Sequence, residues 1–178
     1  MHWMLVWVTG LSGTGKSSVA LRLRELGYNS VDADEDGISG WRSNPSGEIV
    51  PSPPLEQRPA DWLDRFTWSI DVGRVEEMRR EADGRLLFLA GAVENEAEIL
   101  SLIDVVVCHV ADAGTLRQRL ATRHTNEFGK APGDIEAVMS WLGVFEDQHE
   151  NIGAVMIDAT RPLPDVVAAV VAAASTAS

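Results

Sequence analysis

Eight residues, GLSGTGKS (Gly10–Ser17), satisfy the pattern G-x-x-x-x-G-K-[ST]. The chemistry this spacing allows is phosphate binding. Glycines at 10, 13 and 15 let the backbone turn with its N–H groups pointing inward, and a helix starting there adds the positive end of its dipole. The apolar run WMLVWV precedes the turn and the amphipathic GKSSVALRLREL follows it, which is the strand and helix context the motif requires. Lys16 is then placed to bridge β- and γ-phosphates, and the Ser17 hydroxyl to ligate magnesium. The expected nucleotide contacts are Gly10, Ser12, Gly13, Thr14, Gly15, Lys16, Ser17 and Ser18, with ATP and Mg2+ as the ligands.

A second constellation follows in VDADED, where Asp32 and Asp34 stand two apart at the carboxyl end of a strand pattern. If the strand runs to residue 34, its pleat turns both carboxylates to one side. That is the rim where open α/β sheets bind ligands. One of the pair would orient or deprotonate an acceptor hydroxyl and the other would sit near the metal; the residues leave open which does which. Asp32, with Ser17, is the expected metal contact and Asp34 an expected acceptor contact. Glu35 and Asp36 read as a solvated acidic turn. The next strand ends LFLAGAVEN with no acid where a Walker B aspartate would stand, and its Gly91 allows either close approach of substrate or simple packing.

Further along, LRQRLATRHTNEFGK puts Arg119 and Arg123 at i and i+4, on one helix face suited to cover a base and then a transferring phosphoryl group. Arg117 lies elsewhere on that helix. Residues 124–133 have the polarity and glycines of a small lid, with Lys130 as a phosphate contact. Lys16, Asp32, Asp34 and Arg123 are the expected catalytic set. On the acceptor side, residues 36–82 carry Trp41, Arg42 and Arg58, and aromatic faces beside arginines suit a planar or anionic small molecule. Trp62 and Trp68 read equally well as core of a helix.

Positioning these groups requires a regular scaffold. Apolar runs at 3–8, 29–33, 85–90, 104–110 and 154–159 predict buried strands of a parallel sheet. Between them, patterns at 15–26, 60–82, 95–102, 112–123, 134–149 and 163–174 predict helices, the first packing Val19, Leu23 and Leu26 and ending at Gly27. The expected fold class is a three-layer α/β sandwich over residues 1–178 as a single domain. Residues 36–59, with five prolines and three glycines, predict an irregular loop.

Composition excludes other classes. A hydrophobic share of 45% with 24% charged residues fits a soluble globular chain, and no apolar run approaches the roughly 20 residues of a membrane span. The net charge of -12, from 15 basic against 27 acidic residues, opposes a broad nucleic-acid grip. The lone Cys108 reads as a buried thiol. The four histidines show no metal-ligand spacing, and no G-x-S-x-G elbow exists. A cytoplasmic monomer or homodimer is expected.

Together, GLSGTGKS, DAD, RLATR and IDATRPLPDVV resemble the small P-loop kinases related to nucleoside monophosphate kinases and to shikimate and gluconate-type kinases. The resemblance implies a P-loop NTPase fold with a five-stranded sheet in the order 2-3-1-4-5. It also implies that Asp158, Thr160 and Pro162 pack beside adenine. The expected activity is ATP- and Mg-dependent phosphoryl transfer to a small hydroxylated acceptor, which includes nucleosides and nucleotides. The strand lacking a D-G-x-P-R pattern speaks against a nucleoside monophosphate as acceptor. Alternatives are a nucleotide-binding regulator or slow NTPase, and a polynucleotide 5′-hydroxyl kinase.

Overall fold

The computed structural model describes residues 4–122 and 133–176. Its first strand, β1 (Met4–Gly10), is buried from Leu5 onward because it has a neighbour on each side and a helical layer on each face. A run that is apolar at every position suits that place, and each large side chain buried there contributes roughly 1.5–3 kcal/mol. Then come α1 (Lys16–Glu25), β2 (Asn29–Asp32), β3 (Ser39–Ser43), β4 (Ile49–Val50), α2 (Trp62–Arg65) and β5 (Phe66–Ile70). The chain continues through α3 (Val72–Glu81), β6 (Leu86–Ala90), α4 (Glu96–Ile99), β7 (Val105–Val110), α5 (Ala113–Thr122), α6 (Asp134–Asn151), β8 (Val155–Asp158) and α7 (Leu163–Thr176).

Five parallel strands form the main sheet in the order β2-β6-β1-β7-β8. Counted among themselves these strands run 2-3-1-4-5, the order implied by the resemblance. Side chains alternate across the sheet. Val6, Val8, Phe88 and Val107 meet Val19 and Leu23 of α1 and Val166 and Val170 of α7 on one face. Leu5, Trp7, Leu87 and Leu89 meet Val75 and Met78 of α3 and Ile99 of α4 on the other. These are the three layers.

α1 ends as its sequence indicates. Gly27 adopts φ 86°, the Tyr28 N–H bonds to the Leu23 carbonyl and the Gly27 N–H to the Arg24 carbonyl, which together make a Schellman cap. Leu26 departs from expectation: it belongs to the cap and is exposed, while Val19 and Leu23 carry the packing.

Two predicted segments are corrected. Residues 36–59 are not irregular throughout, since 39–43 and 49–50 are strands, and 60–82 is not one helix. β3, β4 and β5 instead form a small antiparallel sheet in the order β4-β3-β5, with Trp41 opposite Trp68 and Arg42 opposite Thr67. The sequence FTWSI alternates the large apolar residues Phe66, Trp68 and Ile70 with the hydroxyl residues Thr67 and Ser69, a period of two that favours a strand. Asp71 then caps a new helix, its side chain accepting from the Arg74 N–H at 3.1 Å.

The exposed edge of the sheet at β2 is closed from within. The Ser30 carbonyl accepts from Arg24 Nε at 2.7 Å, the Asp32 N–H donates to Asp36 Oδ2 at 2.8 Å, and Arg24 and Asp36 pair with each other. Asp36 is thus a structural clamp on an edge strand rather than a freely solvated acid. Among the described residues, no helix is long and apolar enough to cross a membrane.

Candidate active site

The glycine-rich turn occupies the carboxyl end of β1 and opens α1. Gly10, Gly13 and Gly15 take φ values of 150°, 93° and 85°, so side chains there would be strained. A Cβ on Gly10 would lie 2.7 Å from Thr14 Oγ1 and 2.8 Å from the His109 carbonyl. Thr14, buried, folds inward to brace the turn, donating from its hydroxyl to the Leu11 carbonyl at 2.8 Å. The amides of the first helical turn have no carbonyl four residues back, and they are the donors that an anionic phosphate needs. Lys16 Nζ donates to the carbonyls of Gly10 at 2.6 Å and Leu11 at 3.1 Å, which places the ammonium over the turn. Ser17 and Ser18 are exposed on that first helical turn. The turn therefore fits a polyphosphate tail.

For magnesium, among the described residues no three His, Cys, Asp or Glu side chains gather into a cage. An exposed hydroxyl such as that of Ser17 fits an ion that takes most of its ligands from phosphate and water.

β2 stops at Asp32, so the pleat does not extend to residue 34 and the pairing of the two carboxylates takes another form. Asp32, 5% exposed, accepts the N–H groups of Asp34 at 3.0 Å and Glu35 at 3.1 Å and so builds the turn. Asp34 rides on that turn and is exposed. Its Oδ1 accepts the Trp68 indole N–H at 3.1 Å and the Ser39 hydroxyl. Gly91 is buried, and the close approach it permits is to the sheet's own side chains: a Cβ there would lie 2.8 Å from Trp7 Cη2 and 3.0 Å from the Ala33 Cβ.

The small antiparallel sheet gathers the tryptophans. Trp41 is 8% exposed and meets Trp62 and Trp68 edge-on at ring separations of 5.6 and 5.3 Å. It therefore packs within β3, a correction to the expectation of a ligand-facing ring on an irregular loop. Arg58 lies 5.2 Å over Trp41, with Nε and Nη2 donating to the Pro53 carbonyl and the Ser52 hydroxyl. Arg42 donates to the Gly47 carbonyl at 3.0 Å, and its buried Nε has no hydrogen-bond partner among the described residues.

Arg119 reaches from α5 to two segments at once. Nη2 donates to the Ala159 carbonyl at 2.8 Å and Nη1 to the Gly13 carbonyl at 3.4 Å, joining the phosphate-binding turn to the segment after β8. In that segment Asp158 accepts the Thr160 hydroxyl at 2.6 Å and its N–H at 2.9 Å, which hold the carboxyl below the usual range. Pro162 opens α7, its carbonyl accepting from Asp165 and Val166. Arg117 faces Glu136 at 3.9 Å. Arg123 and Lys130, and all of the lid except Gly133, lie outside the described residues.

Three contributors escape sequence reasoning. Ser39 and Trp68 reach Asp34 from positions 5 and 34 residues away, distances at which no local pattern signals contact. His109, opposite Gly10 in the sheet, is buried beside the glycine-rich turn; burial, then the Lys16 charge, lower its pKa to about 4. Cys108 is a buried thiol pushed up to about 12 by burial, an inert state.

Residues 6–139 match the family described as AAA domain. The comparison with curated proteins finds no match. Among solved structures, the chain is similar to a gluconokinase from Sinorhizobium meliloti at 19% identity and TM-score 0.56, covering 98% of this chain and 93% of that one. A shikimate kinase from Acinetobacter baumannii in complex with shikimate matches at 15% identity and TM-score 0.60, over 94% of this chain and 90% of that one. A deoxyadenosine kinase from M. mycoides matches at 11% identity and TM-score 0.51, over 95% and 98%. These likenesses show a shared fold. With its phosphate-binding turn, five-stranded sheet and family match all in agreement, the chain belongs to the AAA domain family and has the fold of the small P-loop kinases.

Proposed function

We propose that this protein is a kinase that moves the γ-phosphoryl group of magnesium ATP onto a hydroxyl of a small metabolite. The observation that carries this reading is an exposed carboxylate, Asp34, anchored by one oxygen on the turn after β2, in a fold whose glycine turn is built for a triphosphate. Phosphoryl transfer asks for alignment and charge neutralisation more than covalent chemistry. The acceptor oxygen bonds to the γ-phosphorus while the bond from that phosphorus to the β–γ bridging oxygen breaks. ADP carries away the electron pair. The hydroxyl proton passes to the Asp34 carboxylate and then to solvent.

Lys16 neutralises the β- and γ-phosphates, with Arg123 and Lys130 of the lid region completing that role. Asp32 and Ser17 are the groups assigned to the metal, which when bound supplies charge neutralisation across the phosphates. Ser12, Gly13, Thr14, Gly15 and Ser18 cradle the tail, and Arg119, Asp158, Thr160 and Pro162 border the base. Arg42 and Arg58, beside the tryptophans of the small sheet, are the cations assigned to the acceptor side. The similar structures, two of them named for a gluconate and a shikimate kinase, support hydroxylated small molecules as the first acceptors to try.

A slow NTPase without an acceptor is the second reading, favoured by the absence of an acid at the end of β6. An ADP-release assay with MgATP against gluconate, shikimate, deoxyadenosine and a wider panel of nucleosides, sugars and polyols separates the two. Turnover rising at least tenfold with one acceptor, and falling about 100-fold or more in Lys16→Ala at unchanged melting temperature, is the expected result. ADP release indifferent to every acceptor would decide for the NTPase, and full activity in Lys16→Ala would remove both.

A further inference from the structure

The Asp34 carboxylate is held asymmetrically. Oδ1 accepts two hydrogen bonds, from the Trp68 indole N–H at 3.1 Å and from the Ser39 hydroxyl, whereas Oδ2 has no bond to any described residue. The terminal torsion of an aspartate is broad and nearly two-fold, so an exposed carboxylate on a turn would ordinarily present either oxygen. Two donors on one oxygen remove that equivalence and leave Oδ2 as the oxygen offered to solvent or substrate.

Trp68 is itself fixed from three directions. Its backbone N–H donates to Glu94 Oε1 at 3.1 Å, its carbonyl accepts the Glu94 N–H at 2.9 Å, and its ring lies edge-on to Trp41 at 5.3 Å. The residue joins the turn after β2 to the segment after β6 through a strand of the small sheet. An indole N–H donates only and does not titrate in the working range, so it can orient a carboxylate without competing for the acceptor's proton. A histidine in the same place would do both.

We infer that Trp68 is a positioning residue for phosphoryl transfer: with Ser39 it locks Asp34 by Oδ1 so that Oδ2 receives the acceptor hydroxyl. This rests on the assignment of Asp34 to the acceptor. Trp68→Phe keeps an aromatic ring against Trp41 and removes the donor. In the ADP-release assay with MgATP and gluconate, shikimate or deoxyadenosine, the variant should lose about tenfold to a hundredfold in kcat with KM for ATP within twofold of wild type. Ser39→Ala, which leaves every indole in place, should show the same split at smaller amplitude. In an Asp34→Ala background, Trp68→Phe should cost little more, because the group it positions is gone.

Nitrogen-15 NMR of the indole N–H groups tests the contact without any acceptor: Asp34→Ala should shift the resonance that Trp68→Phe deletes. An unmoved resonance, or a Trp68→Phe enzyme with wild-type kcat, would overturn this inference and leave the kinase reading standing. Absence of acceptor-dependent turnover in the wild type would bring down the kinase reading first, and this role with it.

Discussion

Gly10 shows how much a single residue can specify. Its φ of 150° and the 2.7 and 2.8 Å approaches that a Cβ would make to Thr14 Oγ1 and the His109 carbonyl combine backbone strain with overlap against groups that cannot swing away. Thr14 is buried and bonded to Leu11, and the carbonyl belongs to the sheet. Gly10→Ala should therefore cost about 2–4 kcal/mol, read by urea denaturation; a loss under 1 kcal/mol would mean the turn rearranges freely. This glycine was legible in the sequence because its partners are set by a local motif. Gly91 was not: the sequence leaves substrate and packing equally open, and the choice is made by Trp7, which is 84 residues away and held by Glu96. The same limit applies to Asp34. Its type and place after a strand were readable, but the donors that orient it come from Ser39 and Trp68.

At the scale of elements, the five core strands, α1 and α7 were readable because each carries its own local pattern, an apolar run in β1 that is buried from Leu5 onward and an apolar face in α1 that buries Val19 and Leu23. The failure lies in residues 36–82. There the proline and glycine content outweighed a weak strand signal in SGWRS, and the apolar residues of DWLDRFTWSIDVGRVEEM fit a helical period closely enough to hide a strand between two helices. Two local signals were present: the alternation in FTWSI and the Asp71 cap. Asp71 makes the boundary by satisfying the Arg74 N–H at 3.1 Å. Asp71→Ala should lower stability by about 1 kcal/mol, while Asp71→Asn, which keeps an acceptor at the cap, should recover most of the loss. Equal losses in both variants on denaturant titration would assign the effect to charge rather than to the cap. The small sheet that this boundary permits is what brings Trp68 to Asp34.

Across the whole molecule, two buried histidines oppose each other in their response to pH. His149 of α6, 3% exposed, has Nδ1 2.8 Å from the Phe145 carbonyl and Nε2 3.0 Å from Glu96 Oε2, while Glu96 also accepts the Trp7 indole N–H. Both ring nitrogens face acceptors, which calls for an imidazolium and ties α6, α4 and β1 together. Burial acts to lower its pKa, but the hydrogen bonds to Glu96 and Phe145 and the Glu96 charge outweigh it and raise the pKa. A pKa raised above the unfolded value near 6.5 gives stability that is full below that pH and is lost as pH climbs through the folded value. His109 runs the other way. Buried beside the phosphate-binding turn and lowered to about 4, it stays neutral while the unfolded chain takes up a proton, so stability falls as pH drops from about 6.5 toward 4, by up to roughly 3 kcal/mol. The contribution of the pair is therefore greatest near pH 6.5. In urea titrations from pH 4 to 9, subtracting the His149→Gln curve from wild type should isolate the alkaline loss, and subtracting His109→Gln the acidic one. If the His149 difference instead grew with rising pH, the buried ion pair with Glu96 would be wrong. The link between the three elements would then have to be carried by neutral hydrogen bonds alone.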